Sequence, residues 1–88
     1  MTEPVRLWVV DDDHAVRFVL ATALREAGYA VNAYGNAAEA LHALREAPLP
    51  ALVITDVRMP GESGLQLLEK LKTAHPQLPV IVMSAYTD

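Results

Sequence analysis

The chemistry this sequence can do rests on three aspartates. Asp11 and Asp12 follow one short apolar run, and Asp56 follows another far along the chain. If those two runs lie side by side, their ends gather three carboxylates into one shallow cluster. Like charges that close do not all stay ionised without compensation: either a pKa rises or a cation binds. An all-oxygen set without histidine or cysteine suits a hard divalent ion, Mg2+ above all. Beside such an ion a carboxylate can attack phosphorus, because the metal screens the anionic oxygens of the incoming phosphoryl group. Ser84 ends a further apolar run and offers a hydroxyl to a phosphoryl oxygen, although for Ser84 alone a strand-end cap is the simpler reading. A helix cap is the ordinary role of an aspartate at a strand–helix junction, and it accounts for Asp13 in full. It accounts neither for Asp11 and Asp12 behind that cap nor for Asp56, which precedes a loop.

The elements that must position these groups alternate. Leu7–Val10 is a continuous apolar run, as expected for a strand buried in a parallel sheet. Asp13 then caps a helix that Gly28 ends, with Val16, Val19, Leu20, Ala23, Leu24 and Ala27 as its expected inner stripe. Ala30–Tyr34 is a second strand. Asn36 caps a second helix, lined by Ala37, Ala40, Leu41 and Leu44, which must stop before Pro48. A third strand, Leu52–Thr55, runs into Asp56. Residues 57–64 are too rich in proline and glycine for regular structure. A third helix through Leu65, Leu68 and Leu71 leads to a fourth buried strand, Val80–Met83. Strands separated by helices imply a parallel sheet with helices on both faces, an α/β doubly wound fold. Ligands of such folds bind at the carboxyl ends of the strands, where the acids fall.

The composition fits that picture and removes others. The chain has 88 residues, seven Lys and Arg against eleven Asp and Glu, and a net charge of −4. That balance argues against nucleic acid as the partner of this segment. With 52% apolar and 20% charged residues, the chain has the composition of a folded domain. It contains no cysteine, which excludes a disulfide scaffold and thiolate chemistry. No apolar run is long enough to span a membrane, and the start MTEPVRL has no secretory character, so a cytoplasmic location is expected.

Three blocks, VVDDDHAVR at 9–17, ITDVRMPGESG at 54–64 and VIVMSAYTD at 80–88, resemble the response-regulator receiver domain in content, order and spacing. The resemblance implies a flavodoxin-like sheet and a phosphorelay function. Asp56 would accept a phosphoryl group from a sensor histidine kinase, a stoichiometric role rather than that of an enzyme. Asp12 would bind Mg2+ directly, Asp11 largely through water, and the Arg58 backbone carbonyl would complete the shell with Asp56. Ser84 would be the switch hydroxyl. WVVDDD and MSAYTD look most like nitrogen-regulation activators of the NtrC type, whose downstream ATPase and DNA-binding domains act with an alternative sigma factor.

Rival readings remain testable. An aspartate-nucleophile phosphatase needs a second acid two residues after the nucleophile. Arg58 occupies that place after Asp56, while D-x-D at 11–13 would satisfy it and leave Asp56 unexplained. A dinucleotide-binding half-domain lacks its glycine-rich turn after the first strand. A receiver fragment serving only as an oligomerisation module is the third. His14, His42 and His75 lie too far apart for a metal site, Trp8 reads as core, and Phe18 falls off the apolar stripe as an exposed partner-contact candidate.

Strands beginning near residues 6, 30, 52 and 80 set a βα unit of about 25 residues, so five units would need roughly 120. Against a five-stranded receiver, residues 1–88 are expected to be its N-terminal portion: strands in order 2-1-3-4 and three helices. The fourth helix, fifth strand and fifth helix would be absent. Val80–Met83 would then be an exposed edge, open to strand pairing in a homodimer or swapped oligomer.

Overall fold

The computed structural model describes residues 3–83. Strands β1 (Arg6–Val10), β2 (Ala30–Tyr34), β3 (Leu52–Asp56) and β4 (Val80–Met83) alternate with helices α1 (His14–Glu26), α2 (Ala37–Glu46) and α3 (Gly64–Ala74). All strand pairs are parallel, and the order is β2-β1-β3-β4. The chain winds outward from β1 to β2, then returns through α2 to β3 on the other side of β1. The reversal lies between β1 and β3, the place where an open α/β sheet leaves a crevice at its carboxyl rim.

Local signals set the helix ends. Asp13 Oδ1 accepts the N–H groups of Ala15 and Val16 at 2.9 and 3.1 Å, satisfying donors that the first turn of α1 leaves unpaired. At its other end Gly28 adopts φ 104°, and the N–H groups of Gly28 and Tyr29 close onto the carbonyls of Arg25 and Leu24. Only a residue without a Cβ takes that left-handed turn cheaply. Asn36 caps α2, and Ser63 with Gln66 forms a reciprocal capping box on α3.

Two cores flank the sheet. On one face Trp8, Val10 and Val53 pack against Ala37, Ala40 and Ala43 of α2 and Leu67 and Leu71 of α3. Trp8 is fully buried, its ring edge-on to Tyr34 at 5.2 Å, and its indole N–H has no partner among the described residues. On the other face, among the described residues, α1 alone covers the sheet, through Ala21, Leu20 and Leu24 against Val9 and Val31.

The single-helix face corrects the expected stripe. Leu20 and Leu24 do face the sheet, but Val16, Val19, Ala23 and Ala27 are exposed, Val19 by 66%. The inward line instead runs through Arg17, Leu20, Ala21 and Leu24. Residues 16–24 are apolar around more than half the helix, so periodicity offered two stripes, and the contact with β1 and β2 selected one. In α3 Leu65 is exposed and Leu67 takes its place in the core. Strand β4 is half-covered rather than buried, with Ile81 51% exposed on the same sheet face as Val9, beyond the reach of α1. Phe18 is 63% exposed, as its position off the stripe predicted.

Candidate functional site

The carboxyl ends of β1 and β3 meet because these strands are hydrogen-bonded neighbours, with Val10 opposite Thr55. The next residue on each strand is therefore an aspartate. Asp11, Asp12 and Asp56 each bring a carboxylate oxygen within 4.8 Å of the other two. The three differ in surroundings: Asp11 is 3% exposed, Asp56 is half-buried and Asp12 lies open to solvent.

Backbone groups hold each acid in place. Asp11 donates its own N–H to the Tyr34 carbonyl at 3.1 Å, and its Oδ1 accepts the Asp13 N–H at 2.9 Å. This side-chain turn aims the Asp11 carboxylate up at the rim while Asp13 caps α1. Asp56 Oδ1 accepts the Val57 N–H at 2.8 Å, and Val57 N–H also lies 3.0 Å from the Met83 carbonyl. The hydroxyl of Thr55, fully buried, donates to the Asp56 carbonyl at 3.0 Å. Burial pushes the Asp11 carboxyl above its ordinary value of 3.8. The Asp13 N–H opposes that rise, and the charges of Asp56, Asp12 and Asp13 add to it.

The donor set fits a hard divalent cation. It is all carboxylate and gathers to one point, and the Asp56 and Asp12 charges that add to the raised Asp11 pKa are a repulsion a cation would relieve. Among the described residues, no histidine or cysteine joins the cluster to favour a softer metal. Arg58 sits exposed in the loop after β3, and Ser84 lies outside the described residues. A cavity of about 430 Å3 at the opposite end of the sheet, lined by Leu49, Pro50, His75 and Leu78 among others, has His75 as its one titratable group and so lacks an acid–base pair.

Asp13 answers the D-x-D alternative. Its carboxylate is engaged by two helix N–H groups, so it is a cap rather than a proton donor to a leaving group. Two contributors escaped sequence reasoning. Arg17 reaches back from α1 to donate to the Asp11 carbonyl at 2.6 Å. Gly64 packs its α-carbon against the Asp56 carbonyl. No sequence signal marked Arg17, because the expected stripe of α1 ran elsewhere; the signal for Gly64 was a glycine at the first position of a helix, where none is required for turning.

Comparison with known proteins agrees with this geometry. Residues 7–88 match the family described as the response regulator receiver domain. The chain is 48% identical over 82 residues to the DNA-binding transcriptional regulator NtrC of Escherichia coli strain K12, covering 93% of this chain and 17% of that protein. It thus spans about one-sixth of the length of the curated relatives it matches. The solution structure of the apo receiver domain of nitrogen regulatory protein C superposes with a TM-score of 0.83 at 44% identity, over 100% of this chain and 69% of that one. The response regulator TrrA of Thermotoga maritima, crystallised in complex with Mg2+–BeF, gives 0.88 at 34% identity, over 94% and 71%. The matched segment in these regulators is a receiver rather than a catalytic enzyme. The fold is thus shared with solved receiver domains, and the chain belongs to the response regulator receiver domain family, similar within it to the receivers of NtrC-type transcription regulators.

Proposed function

We propose that this chain takes a phosphoryl group on Asp56 from the phosphohistidine of a sensor histidine kinase and passes the change to a transcription output. The observation that carries the reading is the convergence of Asp11, Asp12 and Asp56 within 4.8 Å at the rim between β1 and β3. Asp11, Asp12, Asp56 and the Arg58 backbone carbonyl would hold Mg2+. Bound there, the ion would screen the repulsion between the carboxylates and the anionic phosphoryl oxygens.

The protein's own part is to orient the nucleophile. Val57 N–H engages Oδ1 of Asp56, which restrains the carboxylate and leaves Oδ2 as the oxygen to attack. A bond forms between that oxygen and phosphorus as the phosphorus–nitrogen bond of the phosphohistidine breaks, and the imidazole leaves with a proton. Ser84, following β4, would donate its hydroxyl to a phosphoryl oxygen as the switch.

Similarity to NtrC supports an output through ATPase and DNA-binding domains acting with an alternative sigma factor in nitrogen regulation. Residues 1–88 would be the N-terminal portion of a receiver, consistent with the 69% and 71% of the two solved receivers that they cover. Pairing as a homodimer or swapped oligomer is part of the proposal, β4 being an edge strand among the described residues and Ile81 half-exposed on it. No helix of the described residues is long and apolar enough to cross a membrane, and a cytoplasmic site of action is part of this proposal.

Incubation with a small phosphodonor such as acetyl phosphate and Mg2+, followed by mass spectrometry, tests it. One phosphoryl group per chain, mapped to Asp56, is expected. Multiple turnover of a phosphomonoester with no label on Asp56 would overturn it.

A further inference from the structure

We infer that Arg17 is a positioning residue for the metal site, holding the Asp11–Asp12 peptide in the orientation that lets both carboxylates serve one cation. The inference rests on the reading of Asp11, Asp12 and Asp56 as an Mg2+ site.

Arg17 lies one turn into α1, on the line that faces the sheet, and its side chain runs back toward the end of β1. Its Nη1 donates to the Asp11 carbonyl at 2.6 Å. Its Nη2 lies 3.1 Å from His14 Nδ1, and a guanidinium has only donors, so that imidazole nitrogen accepts. The fork therefore spans two points, the strand-end peptide and the first turn of the helix, as a planar guanidinium does better than an ammonium.

The Asp11 carbonyl belongs to the peptide plane that begins at Asp11 and ends at the Asp12 nitrogen, so holding it restricts ψ of Asp11 and φ of Asp12 together. The Asp11 N–H is already tied to the Tyr34 carbonyl, and its carboxylate to the Asp13 N–H. Arg17 supplies the remaining restraint on this turn.

The second strand end makes room for it. A Cβ on Gly35 would lie 3.3 Å from Arg17 Nη1, and the Gly35 N–H is itself bound to Glu39 Oε1 at 2.8 Å. The guanidinium is thus seated between the β1–α1 and β2–α2 junctions, against a residue whose missing side chain leaves the space.

The sign of the effect separates this role from simpler ones. A cation that acted only through its charge would repel Mg2+, so its removal would tighten binding. A residue that only stabilised the fold would lower the metal-free melt and leave the affinity of the folded protein alone. A positioning residue does the opposite of the first and differs from the second. Partners one shell out from a metal are typically worth about 10-fold or more in affinity.

The test is calorimetric titration of Mg2+ into wild type, Arg17→Gln, Arg17→Lys and Gly35→Ala, with urea melts of each in chelator. Arg17→Gln is expected to weaken Mg2+ binding about 10-fold with the chelator melt little changed. Arg17→Lys should recover part of the loss, and Gly35→Ala should weaken binding in the same direction by displacing the fork. At saturating Mg2+ the rate of Asp56 labelling should return toward wild type in the Arg17→Gln protein, the loss lying in metal half-saturation. Unchanged or tighter Mg2+ binding in Arg17→Gln, while wild type binds the ion and labels Asp56, overturns the inference alone. A wild type that binds no Mg2+ overturns both it and the site reading.

Discussion

The α-carbon of Gly64 sits against the main-chain carbonyl of Asp56 so closely that no side chain fits between them, while the Gly64 N–H donates to the Val57 carbonyl at 3.0 Å. The first residue of α3 is thereby packed onto the end of β3. This contact folds the proline- and glycine-rich loop, residues 57–63, into a tight excursion over the rim and holds the peptide that carries the Asp56 carboxylate.

Gly64→Ala should therefore do more harm than an alanine at a helix start normally does. The added methyl forces backbone apart, which puts the expected loss of stability at about 1–3 kcal/mol. Displacement of the Asp56 peptide should also slow labelling of the protein that remains folded. Urea melts, with labelling measured well below the midpoint, read the two effects separately. A variant as stable and as readily labelled as wild type would show that the loop yields easily.

Asp56→Asn should abolish phosphoryl incorporation and leave the apo fold intact. The amide oxygen can keep the Val57 N–H bond, while one of the like charges that add to the burial-driven rise of the Asp11 pKa is gone. In chelator the variant is expected to be at least as stable as wild type, because one of three crowded like charges is removed. A clearly less stable Asn protein in urea contradicts this.

The pH dependence follows from Asp11. Its folded pKa lies above the ordinary 3.8, so the folded protein holds this proton more tightly than the unfolded chain does. The stabilisation from that proton is fully present below 3.8 and is lost as pH rises through the higher folded value. In chelator, Asp11→Asn should remove this falling limb, so its advantage over wild type should grow as pH rises above the ordinary value of 3.8. Proton and metal compete for the same carboxylate, so Mg2+ affinity of wild type should weaken as the pH drops through the same window. A stability difference between the two proteins that is flat with pH would remove burial of an ionised Asp11 from the account.

The corrected helix faces make a paired prediction. Val19→Gln, on the exposed side of α1, should change stability by no more than about 0.5 kcal/mol. Leu67→Ala, at a fully buried position between α3 and the sheet, should cost about 2–5 kcal/mol. Denaturant midpoints of the two variants settle the assignment, and a costly Val19→Gln would restore the stripe that periodicity first favoured.

Local signals were legible in the sequence. Alternating strands and helices, the caps at Asp13 and Asn36, the closing Gly28 and the irregular loop after Asp56 all depend on residues a few positions apart, so their physics is written in short windows. The candidate acids were legible as well, because a second and third aspartate behind a cap exceed what capping needs. Tertiary structure decided what those acids do together. The residue pattern left the neighbour of β1 open until the family resemblance supplied an order, and only the β1–β3 pairing places Asp56 beside Asp11. It also chose Arg17 and Ala21 over Val16 and Val19, and Leu67 over Leu65, because a helix apolar around half its girth carries no mark of which side the sheet will reach. Contacts across the fold, such as Arg17 on the Asp11 carbonyl and Gly64 on that of Asp56, leave no periodic trace, since each is set by where two distant junctions meet.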